Sequence, residues 1–520
     1  MSTPIHSFIA IVIKFTKNKN MLTHNIQTKI KNSPLLFLLP LALAVRLYNI
    51  NSPIIGIHSW RQADTAAIAR NFYESRFNIF YPQIDWGGNT PGYCETEFPI
   101  YSFIVAIFYK IFGVHEIFGR LTSVIFSLLT IYFLYKLIAK FLDPKIAIWS
   151  CLFFAILPLT VYYSRTFQPE AILLTCSVAG IYYFSNWLES EKIHFLCISG
   201  IFVSLACLIK VLPIIYVGLP LLYLAYCKFK HKIFTNIYLW IYTLFIGISF
   251  GMWYYHAHQL YLEYGNTFGF WGSSANGRYQ YNIIFTLKFW LDIIFRTVVR
   301  HFAVFMFPIF IAGLFIPRTN KQEYLFDIWL ISVIITWVLV PTVSLVHEYY
   351  QLPLMLPGVV FIGKFLAKYL DHNSLKINIK KISITCICLS IITGSLIYTI
   401  DYMFKEKIHK SATFQLAQIV QKKTDAKSLM IFTTGGDPTL MYLSHRKGWL
   451  IDPSDLTRQY LETKIKLGAN YLISSFQFVE SYNFNINENQ KQNIIDTLVK
   501  YPNILDSKEL IIAFLNLRKN

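Results

Sequence analysis

The sequence predicts an α-helical polytopic membrane protein of about eleven spans that ends in a small extracytoplasmic α/β domain. Three observations carry that prediction. The 520 residues are 55% hydrophobic and only 14% charged, with a mean hydropathy of +0.44, whereas a soluble domain carries about 25% charged residues. Apolar runs of bilayer-spanning length, about 17–25 residues each, recur from Ser33 to Met403. From about Lys422 that pattern stops, and short strand-like runs replace it.

Residues 1–33 are expected to form a cytoplasmic segment. They contain an apolar run of signal-peptide length without a small-residue cleavage site, and Met21 offers a second start. Lys17, Lys19, Lys29 and Lys31 precede the first span, Pro34–Ile50, which orients the N-terminus inward. "CKFKHK" (227–232), "PRTNK" (317–321) and "KYLDHNSLKINIKK" (368–381) are the other strongly basic connections. All of them face inward only if "IYSFIVAIFYKIFG" (100–113) lies on the outer surface. At about fourteen residues it is too short for an untilted span.

The remaining spans then fall near 119–141, 145–164, 169–187, 194–209, 211–228, 234–257, 298–316, 324–346, 351–370 and 382–402. This divides the chain into 1–33, a membrane domain 34–403 with an outer loop 51–118, and a tail 404–520. In the tail, "SLMIFTT" and "NYLISS" read as strands and "PSDLTRQYLETKIKLG" as a helix between them, a strand–helix–strand order. "TTGGDPTLMYL" lacks the spacing of a nucleotide loop and reads as structural.

The formal charge of +19 does not indicate nucleic acid, because the lysines sit in short loops between apolar runs. Seven of the eight cysteines lie inside apolar segments and only Cys94 in a polar loop, so no disulfide framework is expected.

Chemistry concentrates on the outer side. "HSWRQADTAAIARNFYE" (58–74) reads from Asp64 as a short amphipathic helix, and the loop that holds it carries His58, Arg61, Asp64, Arg70, Asp85, Glu95 and Glu97. "SRTFQPEAILL" brings Arg165 and Glu170 to the ends of two spans, Lys210 sits at a hairpin tip, and "HEYYQ" (347–351) adds His347, Glu348 and two tyrosines. Each has a structural alternative: Asp64 as an acid at a helix start, Glu97 as a solvated loop acid, Lys210 as a snorkelling side chain, and "HEYYQ" as an interfacial belt. Acids at membrane cavities otherwise mark substrate or proton paths.

The order of these pieces resembles the GT-C membrane glycosyltransferases, in particular the protein-mannosyltransferase and lipid A aminoarabinose-transferase branch. The resemblance covers roughly residues 35–260 and rests on "IARNFYE", "ETEFPIY" and "YYSRTFQPEAILL". It implies transfer of a sugar from a polyprenyl-phosphate donor, at the outer face of a bacterial inner membrane, to a protein, lipid or glycan acceptor. Such chemistry needs a carboxylate to take the acceptor's proton and cations to stabilise the departing phosphate.

In register, the family's acidic pair falls on Arg61 and Gln62 and is missing. Asp64, one helical turn on, is the expected replacement; Glu97 and Glu170 are the alternatives. Arg61, Arg165, Lys210, His347 and Tyr350 are the expected donor-phosphate partners. The first outer loop has no D-x-D sequence, so a tightly bound metal is not implied; a weakly held divalent cation is compatible with its acids. Two other readings stay open: a flippase for lipid-linked sugars, which needs charges within spans such as Arg46, Asp292 and Asp327, and a non-catalytic scaffold for an envelope-polysaccharide complex.

Overall fold

The computed structural model describes residues 34–268, 280–370, 412–475, 487–499, 501–506 and 510–515, together with positions 390, 393, 394 and 397. The N-terminal segment 1–33 and most of the expected last span, 382–402, lie outside the described residues. Every other expected span holds a helix, whole or broken.

The first span is α1 (Leu35–Leu47). The loop after it folds into α2 (Ser59–Glu74) and α3 (Ile100–Phe112), which pack against each other. Helix α3 is the apolar segment expected to lie along the surface. Then follow α4 (Glu116–Phe141), α5 (Pro144–Ile156), α6 (Pro158–Tyr163), α7 (Glu170–Ser190), α8 (Ile193–Ile209), α9 (Pro213–Tyr216), α10 (Gly218–Phe229) and α11 (Ile237–Tyr264). After residue 280 come α12 (Leu287–Arg296), α13 (Met306–Leu314), α14 (Leu325–Leu339), α15 (Pro341–Val346) and α16 (Met355–Tyr369).

Among the described residues, five helical stretches are long and apolar enough to cross a membrane unaided: Glu116–Phe141, Glu170–Ser190, Ile237–Tyr264, Lys321–Leu339 and Glu348–Tyr369. The sequence reading drew continuous spans where the chain breaks. Leu157 is extended (φ −65°, ψ 140°) and Val340 leaves the helical region (φ −129°, ψ 66°), because each precedes a proline whose ring crowds the α conformation.

The expected span 298–316 is corrected more deeply. Helix α12 runs through a π turn at Thr297–His301, and α13 leaves at 109° to it. Ala303 and Val304 at the corner have φ of 46° and 61°. The expected outer loop 258–297 is shorter than drawn, since α11 continues to Tyr264 and stops at Gly265, φ +73°.

Inside the bundle, backbones meet directly. A Cβ on Gly313 would lie 2.0 Å from the Phe361 carbonyl oxygen, and one on Gly363 would lie 2.1 Å from Ser150 Oγ. Small residues permit this close approach where lipid removes the hydrophobic drive between helices.

The basic connections gather on one side. Lys140 pairs with Glu189 at 3.0 Å, Lys228 with Glu191 at 3.1 Å, and the Tyr223 hydroxyl donates to the Lys321 carbonyl at 2.6 Å. The buried Lys364–Glu323 pair lies on this connector face too. The opposite face carries the loop 51–118, the α6–α7 turn and Lys210.

The tail begins with α17 (Ala412–Lys423), then β1 (Leu429–Phe432), α18 (Thr439–Leu443), β2 (Lys447–Leu450), α19 (Arg458–Lys466), β3 (Ala469–Ser475), α20 (Glu488–Leu498), β4 (Asn503–Asp506) and β5 (Leu510–Phe514). The expected strand–helix–strand is β1, α19 and β3. The sheet order is β2-β1-β3-β5-β4, with β1 parallel to both neighbours and β5 antiparallel to β3 and β4. The tail docks on the first loop: Gly88 N donates to Gly448 O at 2.8 Å, Gly448 N to Asp85 O at 3.0 Å, and Leu440, Met441 and Tyr442 share a core with Ala63 and Ala66.

Candidate active site

Helix α2 is held from both ends. His58, just before it, is in the left-handed region at φ 53°, a conformation that costs a non-glycine residue about 1–3 kcal/mol and concentrates at functional sites. Gln62 ties the helix to the α6–α7 turn, its side-chain oxygen accepting from Phe167 N at 3.0 Å. Farther along, Arg70 bonds Asp85 and sits over the Tyr442 ring, and Ser59 Oγ lies 3.0 Å from Thr439 Oγ1 of the tail. Residues Ser59 to Phe72 are thereby almost wholly buried.

This frame aims Arg61 into a cavity of about 160 Å³ on the loop face, lined by Trp60, Arg61, Glu97, Lys210, His347 and Tyr350 among others. Arg61 Nη2 is 2.5 Å from Glu97 Oε2, and the neighbouring carboxylate raises the guanidinium's pKa against the opposing effect of burial. Glu97 is fixed by its neighbours: the Thr96 carbonyl accepts from Trp253 Nε1 at 3.1 Å, and Phe98 N donates to Leu208 O at 3.0 Å. Among the lining residues Glu97 is the sole carboxylate.

Lys210 caps the end of α8 and reaches Glu170 Oε1 at 2.7 Å. Its ammonium lies 4.6 Å from the Tyr349 ring centroid and 4.4 Å from that of Tyr350, within range of cation–π attraction. His347 stacks on Tyr349 (11° between planes) and contacts the rings of His58 and Trp60 at 5.6 and 5.4 Å. Burial pushes the His58 imidazole down to about 4, leaving it neutral at physiological pH. Behind these, Glu348 holds Arg300 and accepts from the Tyr163 hydroxyl at 3.0 Å.

Of the residues singled out in the sequence, Arg61, Glu97, Lys210, His347 and Tyr350 therefore converge, and Glu170 stands behind Lys210. Arg165 and Asp64 do not line the cavity. Arg165 is fully enclosed, with Nη2 on the Asn49 carbonyl at 2.5 Å. Asp64 accepts from Trp86 Nε1 of the first loop at 2.9 Å, and Asp437 of the tail is among the charges acting on it. Trp60 and Tyr349 were not singled out individually; the aromatic density of "HEYYQ" was the signal that could have found Tyr349. Among the described residues no group of three or more His, Cys, Asp or Glu side chains is arranged to hold a metal ion.

Two of the three span charges, Arg46 and Asp327, have partners within the bundle. Arg46 donates to the Ala42 and Ala155 carbonyls at 3.1 and 2.8 Å, and Asp327 pairs with Arg318. "TTGGDPTL" is a helix start: Asp437 Oδ1 accepts from Thr439 N at 2.8 Å.

Burial pushes the Asp64 carboxyl up to about 7; the Trp86 hydrogen bond and Arg61 oppose the rise, and Asp437 and Asp85 add to it. Between the ordinary carboxylate pKa and about 7, the folded chain holds a proton that the unfolded chain has released. Stability therefore falls as pH rises through that window. Hydrogen exchange in α2 and α18, corrected for intrinsic rates, is expected to be faster at pH 8 than at pH 5, and Asp64→Asn to remove the difference. Equal corrected rates in the wild type would refute this.

The comparisons with known proteins converge on the same architecture. Residues 96–255 match the family model described as dolichyl-phosphate-mannose-protein mannosyltransferase. ArnT from Cupriavidus metallidurans bound to undecaprenyl phosphate superposes with a TM-score of 0.65 at 12% identity, covering 93% of this chain and 98% of that one. The fold is that of the GT-C membrane glycosyltransferases. Within that class, the Archaeoglobus fulgidus oligosaccharyltransferase in complex with Zn and sulfate matches at TM-score 0.54 and 13% identity, over 85% of this chain and 68% of its own. The mycobacterial arabinofuranosyltransferase AftD matches at 0.50 and 10%, over 94% and 40%. No curated protein matches in sequence. Glu97, Arg165, Glu170 and Lys210 fall within the matched residues 96–255; Arg61, Asp64, His347 and Tyr350 lie outside them.

Proposed function

We propose that the protein is a glycosyltransferase that moves a sugar from a polyprenyl-phosphate carrier to an acceptor at the face carrying the 51–118 loop. The observation that carries this reading is the convergence of Arg61–Glu97 and Lys210–Glu170 on one cavity at the bundle end. The ArnT neighbour holds undecaprenyl phosphate, and a carrier of that chemistry would have its chain in lipid and its phosphate at this depth.

In this reading the acceptor hydroxyl oxygen attacks the anomeric carbon, the bond from that carbon to the phosphate oxygen breaks, and polyprenyl phosphate leaves. Lys210 and Arg61 stabilise the charge that grows on the departing phosphate, with His347 and Tyr350 as further donors beside it. Glu97 takes the hydroxyl proton. Glu170 keeps Lys210 pointed at the cavity, and Trp60 offers a ring face to the sugar. A weakly held divalent cation is no part of this scheme.

The face with the basic connections is assigned to the cytoplasm by the excess of lysine and arginine. In this reading the tail and the cavity lie on the outer side, and the membrane is a bacterial inner membrane. The test is transfer from radiolabelled polyprenyl-phosphate hexose in membranes that contain or lack the chain. Label is expected to move to an acceptor fraction only with the chain. Passage of intact labelled carrier across vesicles, without transfer, would support a flippase instead.

A further inference from the structure

Helices α7, α8, α10 and α11 and the short α9 line a second concavity, of about 470 Å³, that shares no lining residue with the active-site cavity. Its size is that of a small-molecule site, yet none of the residues lining it is charged. Ile214, Leu222, Ala225, Phe234, Trp240 and Tyr242 mark its course from α9, four residues past Lys210, to the connector face. An apolar surface against lipid is ordinary in a membrane protein; a deep groove ending at a basic rim is not.

The rim is built by one turn. Lys230, at φ 53°, reverses the chain after α10 into a short 3₁₀ helix, Lys230–Thr235. Two of that helix's side chains, Ile233 and Phe234, line the groove, while Lys230, His231 and Lys232 are exposed beside it along with Lys228. Trp240 Nε1 donates to the Phe234 carbonyl at 2.9 Å, fixing the turn over the groove mouth with an aromatic ring at the level where such rings favour the interface. The nearest acid is Glu191, 3.1 Å from Lys228, so the rim keeps a clear positive excess.

We propose that this groove binds an acidic glycerophospholipid of the connector-side leaflet, with an acyl chain along α10 and α11 and its phosphate between Lys228, Lys230 and Lys232. Charge complementarity selects this occupant: a zwitterionic lipid satisfies the groove but leaves the rim without a net anion. The polyprenyl carrier of the active site would place its phosphate at the opposite end of the bundle, beside Lys210.

The test uses the full chain, delipidated in detergent and offered phosphatidylglycerol or phosphatidylcholine at equal concentration, with bound lipid counted by native mass spectrometry. The wild type is expected to retain phosphatidylglycerol preferentially. Combined Lys228→Gln, Lys230→Gln and Lys232→Gln substitution is expected to weaken retention roughly tenfold or more. Gly218→Leu should do the same from the apolar side, since a Cβ there meets nothing within 4 Å and the larger chain projects into open groove. If that variant fails to fold, Leu222→Trp replaces it. Equal retention of the two lipids, or undiminished retention by the rim and groove variants, would overturn the proposal. Displacement of phosphatidylglycerol by polyprenyl phosphate would assign the groove to the carrier chain and overturn it as well.

Discussion

Glu97→Gln is expected to lower the turnover of sugar transfer by about 10²–10⁴-fold, the contribution typical of a positioned general base, at unchanged protein abundance. The same substitution frees Arg61 from its carboxylate partner at 2.5 Å, so a full guanidinium charge faces the donor phosphate. The KM for donor is therefore expected to hold steady or fall while kcat collapses. That split separates catalysis from scaffolding. If Glu97 only orients Arg61, its loss raises the KM for donor along with any fall in kcat, because the misplaced guanidinium no longer holds the donor phosphate in the ground state either. Asp64→Asn is the companion: its carboxyl faces Trp86 and the tail, so kcat is expected to stay within about tenfold of wild type. A collapse in Asp64→Asn with Glu97→Gln active would reverse the assignment.

The reason the sequence points to Asp64 and the structure to Glu97 is instructive. Helical periodicity places Asp64 about 60° from Arg61 around α2, close enough to share a face on paper. That face is divided in the fold, because the Asp64 carboxylate is taken by Trp86 with Asp437 of the tail acting on it, and the cavity opens on the Arg61 side. A contact between residues more than 370 positions apart leaves no local pattern to read. Lys210 and Glu170 were legible because charges in nearly loopless apolar hairpins stand out, although their pairing was not. Arg165 stood out for the same reason; its Nη2 bonds the Asn49 carbonyl and it does not line the cavity. The helices themselves were legible from apolar runs. Their breaks at Leu157 and Val340 follow from the next-residue prolines and were readable in principle. The 109° corner between α12 and α13 depends on two residues at positive φ, which neither composition nor periodicity reports.

Lys210→Met is expected to cost about 3–5 kcal/mol in thermal or denaturant unfolding in detergent, because it strands the Glu170 carboxylate in a buried site. Glu170 is 1% exposed and its second oxygen has no hydrogen bond among the described residues, so no other group there takes over the charge. Lys210→Met combined with Glu170→Gln removes both ions and is expected to recover most of that stability, as replaced buried pairs commonly do. Transfer should not recover with it. The ammonium stands over Tyr349 and Tyr350 at the cavity wall, where the double variant offers no cation to the leaving phosphate. Lys210→Arg keeps the charge but places a planar fork where a compact ammonium sat between two rings, so intermediate activity is expected. A stable double variant with wild-type transfer would reduce Lys210 to a structural ion and move phosphate stabilisation to Arg61. A stable double variant without transfer fixes Lys210 as the cation that makes the phosphate leave.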